Sequence, residues 1–238
     1  MTEMQGRLSV GIIGGGPVGV VLGKALAGAG HHLIGISAVS RENLDRIESM
    51  LPEVELQDVQ AIVEKADLVL LAIPASELEP TVNGFAEAGL WRPGQILLHT
   101  SGEHGINVLS SATRRGVIPI AIHPAMRFTG TSIDLSRLNE AFFAYDAPKV
   151  ALPIAQALVI EMGGEPLHIS EEKRKTYYEA FEVASNFSAM IVSQAIGLLE
   201  EIGVENARGI LAPILRSSVE QALAEGHQPI EPKDLLDD

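Results

Sequence analysis

The residues best suited to chemistry begin with a glycine-rich turn, Gly14-Gly15-Gly16-Pro17-Val18-Gly19. An apolar run from Leu8 to Ile13 precedes this turn, and an apolar segment of helical character follows it. A second apolar run extends from Leu33 to Ile36. The order strand, glycine turn, helix, strand is the context in which G-x-G-x-x-G spacing indicates dinucleotide binding. The alternative is a glycine-rich turn in an α/β domain that binds nothing.

Each position of the turn has a separate predicted role, and we take all six residues as candidate cofactor ligands. Gly14 permits the tight turn, Gly16 lets the backbone approach a pyrophosphate, and Gly19 lets the helix pack closely on the strand. Pro17 suits the first helical position, where its missing N–H costs nothing. The helix N-terminus then offers N–H groups and a positive dipole end to phosphates.

The end of the second predicted strand indicates which dinucleotide is bound. Proteins that bind NAD usually place an Asp or Glu there to hold the ribose 2′-OH. Here the segment from Gly35 to Arg41 contains no carboxylate, and the first one is Glu42. The hydroxyls of Ser37 and Ser40 with the guanidinium of Arg41 suit a 2′-phosphate. We therefore predict NADP over NAD, unless Arg41 is only a solvated residue that opens the next helix.

His123 is the leading candidate for acid–base catalysis. It follows the predicted strand Val117 to Ile122, and ligands of open α/β sheets bind at the carboxyl ends of strands. An imidazole titrates near neutral pH and can supply a proton during hydride transfer. The alternative is a structural histidine bonded to backbone.

Further candidates lie at other predicted strand ends and on a later helix. Asn186 shares a helix face with Glu182, and its amide is suited to hold a substrate carbonyl or the nicotinamide carboxamide. Arg127 is suited to bind a substrate carboxylate. Weaker candidates also follow predicted strands, namely Ile73 and Pro74 for the cofactor, His99 for the substrate, and Ser101 and His104 for the reaction. The seven histidines show no H-x-x-x-H spacing and cysteine is absent, so we predict no metal site.

Alternating strands and helices must position these residues. The alternation predicts a doubly wound, mostly parallel Rossmann sheet over residues 1–169. The predicted elements include a weak strand at Val54-Glu55-Leu56 and a helix from Ile106 to Arg115. An all-helical domain is predicted over 170–226 for substrate binding or dimerisation, and an acidic tail over 227–238.

The helical domain begins with one long predicted helix. From Ser170, a plausible N-cap, to Gly203 only Gly197 disfavours a helix, and that length corresponds to about 50 Å. Its apolar positions alternate at spacings of three and four, at Phe181, Ala184, Ser188, Ile191, Ala195, Leu198 and Ile202. Such a stripe packs against another surface. We expect a homodimer through residues 171–203, although packing within one chain explains the stripe nearly as well.

Composition limits the other function classes. The chain has 238 residues, 46% hydrophobic and 20% charged, with a net charge of −14, which is globular and disfavours nucleic-acid or anionic-membrane partners. Residues 8–30 are apolar, but their glycines and Pro17 make a poor export signal or spanning helix. We expect a cytoplasmic protein with a small-molecule substrate.

The chain resembles Rossmann-like proteins that carry a DUF2520-type C-terminal domain. The resemblance rests on an ordered set of motifs, namely the glycine turn, Leu71-Ala72-Ile73-Pro74, His99-Thr100-Ser101-Gly102, His123-Pro124 and Ala184-Ser185-Asn186. These proteins belong to the wider superfamily of 6-phosphogluconate, ketopantoate and pyrroline-5-carboxylate reductase-like enzymes. The resemblance covers roughly residues 8 to 225. It implies an N-terminal NAD(P)-binding domain, a helical C-terminal domain, dimers and oxidoreductase activity.

Two departures from that pattern change what the resemblance implies. Better-known members of the superfamily carry a catalytic Lys four residues before the helix Asn, where this chain has Glu182. Lysine-based proton transfer is therefore not implied. Relatives also continue with Thr-Gly-Pro and Arg-Gly-Asp stretches, whereas this sequence continues with Gly226-His227-Gln228-Pro229 and acidic residues. We expect part of the usual domain to be absent.

The sequence therefore favours an NADP-dependent oxidoreductase that acts on a small carbonyl or imine acid. A prephenate- or arogenate-type dehydrogenase is the alternative within enzymes, because His123-Pro124 with Met126 and Gly130 resembles those proteins. A non-catalytic dinucleotide-binding sensor or partner-binding protein is the alternative from another class. A deazaflavin partner cofactor stays compatible with the sequence.

Overall fold

The computed structural model describes residues 7–226, which form two compact units that divide between Glu179 and Ala180. The division falls inside the long helix, later than the domain boundary predicted at Ser170. The predicted acidic tail, 227–238, lies outside the described residues.

The first unit contains alternating strands and helices. The strands are β1 (Ser9–Ile13), β2 (His32–Ser37), β3 (Leu68–Leu71), β4 (Ile96–His99), β5 (Ile118–Pro124), β6 (Phe142–Asp146) and β7 (Glu165–His168). The helices between them are α1 (Pro17–Gly28), α2 (Arg41–Met50), α3 (Val59–Lys65), α4 (Ala75–Glu87), α5 (Ser110–Thr113), α6 (Ile133–Leu138) and α7 (Leu152–Glu161). A 3₁₀ turn, Ile106–Leu109, precedes α5.

The strands form one sheet in the order β2-β1-β3-β4-β5-β6-β7. Neighbouring strands are parallel except β5 and β6, which are antiparallel. The sheet is therefore mostly parallel and doubly wound, which confirms the predicted fold class. The strand order reverses beside β1, since β2 lies on one side of it and β3 on the other. Such a switch point opens a crevice at the carboxyl ends of the strands.

Both faces of the sheet are buried, as β3 shows most clearly. All four residues of this strand are 0% exposed. Leu68 and Leu70 belong to one apolar cluster with residues of α1 and α7, whereas Val69 and Leu71 belong to a second cluster with residues of α3 and α4. Helices thus cover the sheet on both sides, which explains the continuous apolar runs of the sequence.

Three local predictions differ from the structure. The strand predicted at Val54 to Leu56 is wrong, because Leu56 makes only an isolated parallel bridge to Ile36. The helix predicted from Ile106 to Arg115 is a 3₁₀ turn followed by the short α5. Helix α6 was not predicted at all. The apolar periodicity of these segments is weak, so the sequence pattern does not distinguish short turns from regular strands and helices.

A continuous helical stretch, Glu171–Glu201, joins the two units in the chain. It consists of a 3₁₀ turn (Glu171–Lys173), α8 (Arg174–Glu182), a π-helical turn (Val183–Phe187) and α9 (Ser188–Glu201). Gly197 does not interrupt α9. Helix α10 (Ala207–Glu225) follows, and the Asn206 side chain caps it by accepting from the Gly209 N–H. The long helix predicted from Ser170 to Gly203 is confirmed.

Apolar side chains of the second unit are widely exposed. On the first long helix and just beyond it, Val183, Phe187, Met190, Ile191, Leu198 and Ile202 are each more than half exposed, as are Ile210, Ile214, Val219 and Leu223 on or beside α10. By length and composition alone, Glu171–Glu201 is also long and apolar enough to cross a membrane. Apolar patches of this extent on a soluble fold usually mark an interaction surface.

Candidate functional site

A cleft of about 940 Å³ opens at the carboxyl ends of β1, β2 and β3. It lies at the switch point of the sheet, where ligands of doubly wound folds bind. Its walls come from the glycine turn, the end of β2 and helix α4; the lining residues include Gly14, Gly15, Gly16, Pro17, Ser37, Asn43, Ile73, Pro74, Glu77 and Phe85.

Close backbone packing shapes the glycine turn. Gly14 has φ +109°, a conformation that side-chain-bearing residues rarely adopt. A Cβ there would collide with the carbonyl oxygen of Ala72, just after β3, and a Cβ at Gly19 would collide with the carbonyl oxygen of Gly14. The turn, the first helical turn of α1 and the β3 loop therefore lie in mutual backbone contact, as the predicted roles of Gly14 and Gly19 require.

The N-terminus of α1 opens onto the cleft. Gly16 is the N-cap and Pro17 the first helical residue, and within the described chain no side chain caps this helix. A Cβ at Gly16 would meet no atom within 4 Å. The first-turn N–H groups, including that of Val18, can therefore bind an anion that approaches the backbone closely.

The end of β2 forms the opposite wall. Ser37 lines the cleft together with Val39 and Asn43. Ser40 and Arg41, the other two predicted 2′-phosphate ligands, are not among the lining residues of the described chain. The Ser40 hydroxyl caps α2 by accepting from the Asn43 N–H at 3.2 Å. The Arg41 side chain is 88% exposed and pairs with Asp45 at 3.0 Å, an ion pair worth at most about 1 kcal/mol.

The third wall follows β3. Ile73 and Pro74, both predicted to contact the cofactor, line this wall, and α4 adds Glu77, Thr81 and Phe85, which were not among the predicted site residues. Glu77 is the one acidic residue among the described residues that line the cleft. Because Glu77 belongs to α4 and not to β2, the β2 wall itself presents no carboxylate.

His99, predicted to contact a substrate, organises the loop that follows β4. It is fully buried. Its Nδ1 accepts from the Ser101 N–H at 3.2 Å, so Nε2 carries the proton and donates to the Gly105 carbonyl at 2.9 Å. Burial lowers the pKa of His99 to about 3, which keeps the ring neutral. Ser101 holds the same loop, since its hydroxyl accepts from the His104 N–H at 3.3 Å.

His123 lies near the carboxyl end of β5 and forms a pair with Tyr177 from α8. Its Nδ1 lies 2.9 Å from the Tyr177 hydroxyl and shares a hydrogen bond with it. The Tyr177 and Tyr178 rings meet the imidazole edge to face, at centroid distances of 5.7 Å and 6.5 Å. A Cβ at Gly102 would lie 2.9 Å from His123 Nε2 and 2.7 Å from a Tyr178 ring carbon. Only a glycine admits this close approach.

Burial sets the protonation of this pair. It lowers the pKa of His123 to about 4, assisted by the nearby Arg174 guanidinium. It raises the pKa of Tyr177 to about 12, a shift that the same guanidinium opposes. Between pH 5 and pH 10 both side chains are therefore neutral in the unliganded protein, and the Tyr177 hydroxyl keeps its proton.

Tyr177, Tyr178 and Arg174 were missed by sequence reasoning. Arg174 is 1% exposed, and its Nη2 donates to the carbonyls of Ala121 and Ala144 at 3.3 Å each. The available signal was helical spacing, because residues three and four positions after Arg174 share its face of the helix. The pattern did not show that this face packs on the sheet.

Three predicted site residues remain. Arg127 is exposed on the segment after β5, which the buried Asp134 carboxylate orders by accepting from the N–H groups of Thr129 and Gly130 at 2.7 Å and 2.8 Å. Asn186 and Glu182 are exposed and belong to the second unit. Asn186 lies in the π-helical turn, a feature frequent at functional sites. The roles of these three residues stay predictions.

Among residues 7–226 no group of His, Asp and Glu side chains is arranged to hold a metal ion.

A parallel sheet with a glycine turn at its switch point defines a Rossmann-type nucleotide-binding fold. Comparison with protein families agrees: the Rossmann-like domain matches residues 2–124, and a domain of unknown function, DUF2520, matches residues 141–230. The chain belongs to the Rossmann-like family, which confirms the resemblance seen in the sequence. No curated protein matches it.

Several solved structures share the fold. A protein assigned as an NADP oxidoreductase from Bacteroides fragilis has a TM-score of 0.73 and 18% identity, over 98% of this chain and 85% of that one. A 1-pyrroline-5-carboxylate reductase from Streptococcus pyogenes has a TM-score of 0.67 and 18% identity, over 97% and 84%. An imine reductase from Streptomyces aurantiacus has a TM-score of 0.67 and 18% identity, over 89% and 73%.

The protonation of His123 gives a direct test of this geometry. In ¹³C-labelled protein, we expect the ring signals that disappear in His123→Gln to titrate with a midpoint near pH 4, because burial and Arg174 disfavour the imidazolium. A midpoint near the ordinary value of about 6.5 would contradict the buried pair.

The free energy of unfolding should also depend on the protonation of His99 and His123. Because the pKa values of His99 and His123 are lowered on folding, the unfolded chain binds more protons between about pH 6.5 and pH 4. The free energy of unfolding should therefore fall as the pH falls through this range.

Proposed function

We propose that the protein is an NADP-dependent oxidoreductase that transfers hydride to or from a small carbonyl or imine acid. The observation that carries this proposal is the placement of two features on one edge of the parallel sheet. The N-terminus of α1, whose first-turn N–H groups can bind a phosphate, follows β1, and the His123–Tyr177 pair lies near the end of β5. The solved structures of similar fold, an NADP oxidoreductase assignment, a pyrroline-5-carboxylate reductase and an imine reductase, support the same reaction class.

In this proposal the pyrophosphate binds at Gly14, Gly15 and Gly16 and the first turn of α1, which fits the uncapped helix and the open space beside Gly16. Ile73 and Pro74 border the cofactor on the β3 side. The cleft of about 940 Å³ is large enough for a dinucleotide, since pockets for ligands of this class span about 300–1,000 Å³.

The preference for NADP rests on the β2 wall. No carboxylate of that wall competes with a phosphate, and Ser37 faces the cleft. Arg41 is bound only by an exposed ion pair, so its guanidinium can turn to a 2′-phosphate at little cost. The Ser40 hydroxyl can donate to that phosphate while it continues to cap α2. These positive and donor groups offset the net charge of −14.

Bound NADPH would supply the hydride. The protein's part is to supply the proton that the substrate nitrogen or oxygen gains as its double bond is reduced. Tyr177 is the better donor at neutral pH, because its hydroxyl is protonated and His123 is not an imidazolium. His123 orients that hydroxyl through its Nδ1 hydrogen bond, and after Tyr177 has given its proton to the substrate, the tyrosinate takes a proton from solvent. Arg127 is suited to bind the substrate carboxylate.

We further propose a homodimer that forms through the long helix of residues 171–203. The exposed apolar residues lie on both α9 and α10, and polar side chains such as Glu182, Asn186 and Gln194 interrupt them. A helix that faces lipid is apolar all round, whereas one that faces a protein carries an apolar stripe. The acidic net charge also favours a soluble protein that binds neither nucleic acid nor membrane. A cytoplasmic location fits these properties.

Cofactor preference can be measured by titrating the protein with NADPH and NADH and following nicotinamide fluorescence. We expect tighter binding of NADPH, and Arg41→Ala should weaken NADPH about 10-fold or more while leaving NADH nearly unchanged, since one charge-assisted contact is worth about 1.5–3 kcal/mol. Equal weakening of both would assign Arg41 another role.

The location of the site has its own control pair. Gly14→Ala should abolish binding of both dinucleotides, because the new Cβ meets the Ala72 carbonyl. Gly84 lines the same cleft, and a Cβ added there meets no atom within 4 Å. The control variant Gly84→Ala should therefore bind both dinucleotides normally. Binding retained in Gly14→Ala would place the dinucleotide elsewhere.

Turnover tests the reaction. We expect NADPH oxidation with cyclic or open-chain imino acids or small keto acids, and a loss of about 10²–10⁴-fold in kcat for His123→Ala and for Tyr177→Phe with NADPH affinity preserved. His168→Ala, which changes a half-exposed histidine on β7, is the control. If no substrate of these classes is turned over by a protein that binds NADPH, the oxidoreductase proposal fails.

The dimer is tested by light scattering after size exclusion. The wild type should have twice the 25.3 kDa chain mass. The double variant Ile191→Asp, Leu198→Asp should be monomeric, whereas Val150→Asp, which alters an even more exposed apolar residue of the first unit, should stay dimeric. A monomeric wild type that sediments with lipid vesicles would instead assign this surface to a membrane.

A further inference from the structure

Arg174 is a buried cation, and the hydrogen bonds that it donates do not require a charged donor. Its side chain is 1% exposed, yet within the described chain no carboxylate forms an ion pair with it. Nη2 donates to two backbone carbonyls. Nε and Nη1 are buried without a hydrogen-bond partner among the described residues. Burial of a charge costs several kcal/mol, and a neutral amide could serve the two carbonyls at a lower cost.

The position of the guanidinium indicates what the charge acts on. Ala121, one of its acceptors, precedes His123 by two residues on β5, and Ala144, the other, is the register partner of His123 on β6. The guanidinium carbon also lies 6.0 Å from the centre of the Tyr177 ring. The cation therefore lies beside both members of the His123–Tyr177 pair.

We propose that Arg174 is a positioning residue for the His123–Tyr177 pair: its buried charge acts together with burial to disfavour the imidazolium, and it favours the tyrosinate that forms when Tyr177 gives up its proton. The inference rests on the proposed function for its catalytic meaning, but the electrostatic effect on His123 holds without it. A fixed cation acts here as a preorganised group aimed at charge that develops during the reaction.

The other ionisable groups around the pair do not replace this cation. In the first unit, Asp146 on β6 and Glu171 in the 3₁₀ turn act on Arg174 from a distance and favour its charged form. Asp146 is engaged with the Ala147 N–H and with His168, and Glu171 accepts from the Asn107 N–H. His99 and His104 face the same region, and His99 is neutral. Among the described residues, Arg174 is thus the cation whose charge acts on His123.

The decisive comparison is between Arg174→Gln, which removes the charge and keeps an amide donor, and Arg174→Lys, which keeps the charge. The readout is the ¹³C titration of His123 in the unliganded full-length protein. We expect the midpoint to rise by about 1 pH unit in Arg174→Gln, as for the loss of one nearby like charge, and to stay near that of the wild type in Arg174→Lys. It should remain below the ordinary value in both, because burial persists.

An unchanged His123 midpoint in a folded Arg174→Gln protein would overturn the proposal and leave Arg174 as a structural donor to two carbonyls. If neither Arg174 variant folds, Tyr177→Phe decides the question, because it keeps the cation and removes the hydroxyl. The midpoint of His123 should then stay low. A rise to the ordinary value in Tyr177→Phe would show that the tyrosine, and not the guanidinium, keeps the imidazole neutral.

Turnover supplies an independent measurement. Arg174→Gln should lower kcat and move the acid limb of the pH–rate profile to higher pH, with the KM for NADPH unchanged, because Arg174 is not among the cleft-lining residues described. In Arg174→Lys the acid limb of the pH–rate profile should return to its wild-type position. Absence of any turnover or NADPH binding in the wild type would count against the proposed function alone, since the His123 titration does not depend on a substrate.

Discussion

Helices bury both faces of the sheet, and this burial decides where polar side chains can lie in the structure. Strand β3 is fully buried, with alternate residues packed into apolar clusters on opposite sides. A strand enclosed in this way cannot present a polar side chain along its length without a large desolvation cost. The chemistry is therefore confined to the strand ends, where loops leave the sheet. The glycine turn after β1, the β3 loop, the His99 loop and His123 all lie at that edge because β1, β3, β4 and β5 run parallel.

Two groups create a positive electrostatic potential at this edge of the sheet, although the protein as a whole is acidic. The first is the N-terminus of α1, whose backbone N–H groups carry no formal charge and need no desolvation when an anion binds. The second is the buried guanidinium of Arg174, which faces backbone carbonyls and the His123–Tyr177 pair. The first is open to the cleft, and the second is closed off from solvent. The difference fits binding of a phosphate in one case and control of a proton in the other.

The helical unit has a different character from the sheet. Its long helix contains a π-helical turn at Val183–Phe187, in which one extra residue is accommodated and the side chains that follow are rotated relative to a regular helix. Asn186 lies in this turn, just after the point where the chain passes into the second unit. Much of the apolar surface of this unit is exposed, so its stability depends on what covers that surface.

Local pattern in the sequence determined the class of fold, most strand and helix positions, and the close backbone packing at Gly14 and Gly19, since apolar periodicity and glycine spacing depend directly on burial and backbone geometry. It also identified His123 at the end of β5. It could not identify Tyr177 or Arg174 as partners of His123, because more than 50 residues separate them in the chain. Only the tertiary structure packs α8 against β5 and β6, and that packing partly buries His123 and Tyr177 and fully buries Arg174. Burial widens the pH range in which His123 and Tyr177 are both neutral, and it strengthens the influence of the arginine charge.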